Sequence, residues 1–215
     1  MPYTQGTAAN IVVGAAALFA SEASDTAIPA PSAGTSYKDT VEDAAGWRNL
    51  GFTSNGLELQ FSPEFGEVQV DQILDVAKLF KSGMTVTLNT SMAEATLENL
   101  AFAIAATEGS VATGGATVWD IDGVTTVGTW STNDVSLDML SGELGEIPVE
   151  KKLIAVGASG GNDKERIYTA FRVLSIESVT ASQKRDEAST FDVSFRLLPD
   201  NQGRYGQVVD RVIAG

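Results

Sequence analysis

Apolar and polar residues alternate along much of this chain, and the alternation changes period once. Leu57-Glu58-Leu59-Gln60-Phe61 has the period-2 pattern of a half-buried strand. Ser62-Pro63-Glu64-Phe65-Gly66 interrupts it, and Glu67-Val68-Gln69-Val70-Asp71 alternates again. A basic corner follows at Lys78–Gly83. Met84–Asn89 then forms a third alternating run, with Val86 and Leu88 on one face. At Ser91 the period becomes helical. Ser91-Met92-Ala93-Glu94 has the S-x-x-E spacing of a capping box, and Leu97, Leu100, Ala101 and Ile104 recur behind it as a packing face. The segment predicts strand, strand, strand, then a helix over Ser91–Ala106.

The flanking regions extend this β-rich reading. Ile11–Phe19 is the most apolar run and predicts a buried strand with a glycine bend. It is too short to span a bilayer, and no Lys or Arg precedes Lys38, so the basic start of a secretory leader is missing. Small polar residues and Pro29 and Pro31 predict a loop or arm over about 21–40. Gly, Thr, Ser and Asp dominate about 107–145, where Asp122-Gly123 is a hairpin cue after the strand starting at Thr117. Leu153–Val156 is a short apolar strand. Ile167–Val179 predicts a strand whose parity shifts near Val173-Leu174. Phe191, Val193, Phe195 and Leu197 share one face of another, and Val208, Val209, Val212 and Ile213 are available for docking near the end. A single mainly β domain over residues 1–215 follows, built as two packed sheets or a partly open barrel with one flanking helix.

Composition narrows the chemistry. The chain has neither cysteine nor histidine, which excludes disulfides, Cys/His metal sites and imidazole catalysis. No G-x-S-x-G elbow, P-loop or G-x-G-x-x-G is present. Gly157-Ala158-Ser159-Gly160-Gly161 lacks the Lys-Ser/Thr a P-loop needs. No catalytic residue, cofactor site or metal ligand is expected. Asp120, Asp122 and Asp134 lack the spacing of a calcium loop and predict turns.

Charge is uneven along a chain of net −14. Residues 1–150 hold four basic and twenty acidic groups, whereas residues 151–215 hold ten and eight. An acidic surface disfavours phosphate contacts, so specific DNA binding is not expected. The polar side of the Leu57–Asp71 strands serves either as an ordinary solvated face or as a face presented to neighbouring copies, since the alternating strands carry no evident edge blocker.

The order of the central motifs carries a family resemblance. The Gly46-Trp47 turn, the strand pair Asn55–Gln72 (NGLELQFSPEFGEVQVDQ), the Lys78–Lys81 corner and Thr87–Ile104 (TLNTSMAEATLENLAFAI) together resemble the major tail protein, or tail tube protein, of long-tailed, non-contractile phages. That resemblance implies a structural virion protein that self-assembles into stacked hexameric rings around a tape-measure protein. The rings form the conduit for genome ejection. Further partners would be tail terminator and baseplate or tip proteins, with DNA passing unbound and no membrane insertion. The site of action would be the virion tail, after assembly in the host cytoplasm. Glu58, Gln60, Glu67, Gln69 and Asp71 would line the lumen, with Leu57, Leu59, Phe61, Val68 and Val70 packed inward. Residues Ser21–Thr40 and Thr107–Gly115 would become ordered only in the assembly. Other tail ring proteins (terminator or baseplate) and the inner tube of a contractile injection system are the alternatives.

Overall fold

The computed structural model describes residue 12 and residues 14–213, apart from 69–74, 106–110, 115–116, 120–125, 130, 138–147, 161–162, 176–178, 181–184 and 186–188. Eight strands form one antiparallel sheet. They are β1 (Ala17–Ser21), β2 (Trp47–Asn49), β3 (Thr53–Val68), β4 (Lys78–Met92), β9 (Lys151–Ala158), β10 (Lys164–Ser175), β11 (Phe191–Leu197) and β12 (Gly206–Val212). The order is β2-β1-β9-β10-β11-β4-β3, with β12 beside the first half of β10. Strands β5 (Val111–Thr113) and β8 (Val135–Leu137) make one small ribbon, and β6 (Thr117–Trp119) and β7 (Thr126–Thr129) another. The β6–β7 pairing agrees with the hairpin expected around Asp122-Gly123, whose turn lies outside the described residues.

The chain is mainly β as expected, with one large antiparallel sheet that does not close into a barrel. Residues of β1 and β9 share one core with residues of β4 and β11, so the sheet curls over its own apolar face. Leu153, Ile154, Ala155 and Val156 are all buried, so β9 has apolar neighbours on both faces. Two helices add to this cover. On one face, Leu18, Leu88, Leu153, Val193 and Phe195 pack under α2 (Leu97–Ala103). On the other, Phe19, Ile154, Val156 and Ile167 pack under α1 (Tyr37–Glu42) and Trp47.

Several strand expectations shift. The apolar Ile11–Phe19 run becomes a strand only from Ala17, because Phe19 and Leu18 pair with β9 while Val12 stays exposed. β3 runs unbroken through Ser62–Gly66, since its ladder with β4 continues from Leu57 to Val68. The irregularity expected in β10 is present: its register against β9 shifts between Ala170 and Val173. There its opposite edge passes from β12 to β11. Phe191, Val193, Phe195 and Leu197 are buried together as expected.

The helix after β4 starts later than the capping box suggests. Ser91 and Met92 remain in the sheet, paired with Asp192 and Phe191. Thr96 is the N-cap, accepting from Asn99 N at 3.2 Å, while the Glu94 carboxylate accepts from Phe52 N at 3.0 Å. The later start leaves a seven-residue helix with a different face inward. Asn99, Phe102 and Ala103 are buried, and the Phe102 ring lies 5.0 Å from that of Phe195. Of the expected packing face, Leu100 and Ala101 are half-buried, but Leu97 and Ile104 are 37% and 44% exposed. Asn99 donates to the carbonyls of Leu50 and Glu94 and accepts from Arg48, which ties α2 to the β2 edge. Burial lowers the Arg48 pKa, with the nearby Glu98 and Glu22 charges opposing that shift.

The 21–40 segment is not a free arm. It contains the start of α1, and its own chain holds it. Glu165, buried on β10, accepts from Ser36 Oγ at 2.9 Å, from Tyr37 N at 2.9 Å and from Arg211 Nη1 at 3.1 Å. Trp47 Nε1 donates to Ala27 O at 2.9 Å, and Tyr37 OH to Pro29 O at 2.8 Å. Bonds within the chain itself thus hold a segment that was expected to depend on neighbours for its order. These bonds replace the apolar core its sequence lacks.

Glu165→Ala is expected to cost about 3 kcal/mol, because it strands the half-enclosed Arg211 and the α1 N-terminus together. Urea unfolding would measure this. A loss under about 1 kcal/mol, the range of a surface ion pair, would contradict the account of what holds the segment.

Candidate assembly surface

β4 has two neighbours of unequal length. Its ladder with β11 covers only Val86–Met92, whereas its ladder with β3 continues out to Lys78. Past Val86 the hairpin has no third strand among the described residues. Ser62–Val68 and Lys78–Thr85 thus form a two-stranded arm, about 20 Å long at ~3.4 Å per residue. Such a ribbon is marginal by itself.

Alternation along the unbroken β3 assigns the arm's two faces. Leu57, Leu59, Phe61, Pro63, Phe65 and Glu67 lie on the face that continues the core. Glu58, Gln60, Ser62, Glu64, Gly66 and Val68 lie on the other. Opposite Glu64 and Phe65 the β4 register skips Ser82, a bulge that keeps Lys81 and Leu79 on the core-continuing face. Lys81 Nζ accordingly reaches Met84 Sδ at 2.9 Å. Across the arm, Phe80 covers Gly66 so closely that a Cβ there would come within 2.5 Å of the ring.

The apolar face leaves the body still apolar. Leu57 and Leu59 pack against the core, but Phe61 is 55% exposed and Phe65 and Leu79 are each 60% exposed. Of the residues expected to point inward, Phe61 and Val68 are therefore exposed, and Val70 lies outside the described residues. The reason is coverage: core packing reaches the arm only as far as Met84 among the described residues.

The expected lumen set divides. Glu58 and Gln60 are exposed on one face, opposite Asn89 and Thr87. Glu67 is exposed on the other, because β3 has no break at Pro63 to reset its parity. Gln69 and Asp71 lie outside the described residues. The edge is also less open than expected. Pro63 has no N–H to offer a further strand, and a proline in a strand is tolerated at such an edge.

Sequence reading missed a cleft between β3 and β12. It has a volume of about 270 Å³ and is lined mainly by Leu59, Phe61, Tyr168, Leu197, Tyr205 and Val208. Tyr205 OH donates to Met84 O at 2.9 Å, which bridges the loop before β12 to β4. Gly206 lets β12 start close against β10, since a Cβ there would meet Thr169 O at 2.1 Å. Val208 and Val212, with one residue parity between them, are 51% and 55% exposed, and that pairing was the available signal. At the rim, Arg204 stacks 5.3 Å from the centre of the Phe171 ring and pairs with Asp200 at 2.8 Å.

Other candidate chemistry reduces to turns. Asp134 accepts from Ser131 N at 2.9 Å as a turn bond, while Asp120 and Asp122 lie outside the described residues. No group of three metal-binding side chains occurs among the described residues, nor does a helix long and apolar enough to cross a membrane. Comparison of the chain with family models and with curated proteins gives no match in either.

On the outer strand, Arg166 and Asp210 are cross-strand partners joined by two bonds of 2.6 and 2.8 Å. Hydrogen bonds from Arg166 hold the Asp210 carboxyl down at about 2, against an ordinary 3.8. A depressed carboxyl contributes stability above its ordinary pKa and loses it as pH falls through the folded value. A carboxyl-detected NMR titration should therefore place Asp210 near 2. A midpoint near 3.8 would show that the pair does not hold β12 in solution.

Proposed function

We propose that the chain is a ring-forming tail-tube subunit of the long-tailed phage type, a structural protein that conducts DNA without reacting with it. The observation that supports this reading is the β3–β4 arm. It extends an apolar face beyond the body of a chain that already buries two cores. Soluble monomers seldom leave large contiguous apolar patches uncovered, and such patches mark interaction surfaces.

Identical copies carry identical arms, so any arm-to-body contact repeats around a closed ring or along a stack. The family resemblance supplies the number six. It also supplies the partners: a tape-measure protein inside, and terminator and baseplate or tip proteins at the ends. Of the expected lumen residues, Glu58 and Gln60 keep that role in this reading, joined by Glu64 from the same face. In a chain with twenty acids and four bases over residues 1–150, that face repels phosphates.

Negative-stain microscopy of the purified chain, with mass photometry across concentration, tests the reading. Stacked hexameric rings are the expected result. Single rings that never stack would favour a terminator or baseplate ring, and a concentration-independent monomer would overturn self-assembly. Replacing Glu58 and Glu64 with Lys should leave assembly intact and make the rings retain DNA at low salt. Each added phosphate contact steepens the salt dependence of that retention by about one unit in log–log slope. Retention that ignores salt would place these side chains away from the channel.

A further inference from the structure

We infer that the cleft between β3 and β12 receives the arm of a second copy, with Phe65 as the anchoring side chain. This rests on the self-assembly reading and specifies its contact. The first support is the match of surfaces. Phe65 is exposed on the arm's apolar face, and the cleft is walled by half-buried Leu59, Tyr168 and Tyr205 with exposed Val208 beside them. At about 270 Å³ the cleft falls just below the ~300–1,000 Å³ of small-molecule pockets. It suits one aromatic side chain.

The second support is reach. Phe65 lies six residues beyond Leu59 on a strand whose pairing is continuous between them. Phe61 is the nearest lining residue on β3, and at ~3.3 Å per residue Phe65 stands about 13 Å beyond it along the paired strand, too far to fold back into its own cleft. The occupant has to be another molecule.

Charge makes a second copy the fitting occupant. Glu67 shares the Phe65 face two residues further on, and Arg204 stands at the cleft rim with its side chain 59% exposed. Lys78 and Lys81 on the arm are the only basic residues from 49 to 150. Within the acidic first 150 residues, the arm thus carries the basic corner, with Lys81 opposite Phe65. Because arm and cleft are different surfaces, the contact is head-to-tail and propagates until a ring closes.

The absence of cysteine makes the test direct. One preparation carries Phe65→Cys and another Val208→Cys. They are mixed, allowed to assemble and oxidised, with Glu58→Cys plus Val208→Cys as control. Disulfide-linked dimers are expected at least about tenfold above the control, since a bridge needs Cα atoms within ~7 Å. In parallel, Phe65→Ala should weaken association roughly thirtyfold, as loss of a buried aromatic anchor does. Its unfolding midpoint should stay unchanged. Rings that form without the Phe65–Val208 link, or that form equally well with Phe65→Ala, overturn the docking and leave the ring reading standing. A wild-type chain that remains monomeric at every concentration overturns both.

Discussion

A strand that outruns one of its two neighbours must carry its apolar face out into water, and β4 does so. Its pairing with β11 ends at Val86, but its pairing with β3 extends to Lys78. Past Val86 each strand pairs only across the hairpin, and the side chains of Phe61, Phe65 and Leu79 are not covered. Backbone pairing and apolar burial are usually met by the same neighbours in a sheet. Both fall away beyond Val86, which leaves a face with no described cover over Phe65 and Leu79.

The rest of the molecule gives that arm a firm base. β1 and β9 are buried on both faces, with a helix closing each side. Neither helix is long enough to be stable alone. Each is fixed by a buried polar side chain: Glu165 at the start of α1, and Asn99 within α2. Polar groups of this kind fix geometry more than they add stability, because their desolvation offsets much of what their bonds contribute. They hold the helices in place and leave the hairpin's exit from the body determined by the sheet.

Much of the sheet was legible in the sequence, and the failures have specific causes. The Phe191–Leu197 face and the shift inside β10 were readable because alternation survives wherever one face is buried. Ser62-Pro63 looked like a break because proline usually ends a central strand. At an edge it costs no ladder bond, so β3 continues and Glu67 falls on the face opposite Glu58. The Ser91–Glu94 capping box was overridden by long-range pairing to β11, which no local pattern reveals. The cleft was invisible for the same reason. Tyr168 and Tyr205 meet Leu59 only because the chain folds residues more than a hundred positions apart into contact.

The central claim is that the outer half of the β3–β4 hairpin is unsupported in the single subunit and gains its cover from another copy. Residue-resolved hydrogen exchange, first on dilute subunits and then on assembled protein, tests it most directly. In dilute solution the Thr87–Thr90 amides, flanked by strands on both sides, should be well protected, and those of Lys78–Gly83 should exchange much faster. On assembly the Lys78–Gly83 amides should become protected while those of Thr87–Thr90 change little. Equal protection of Lys78–Gly83 in both states would contradict the claim.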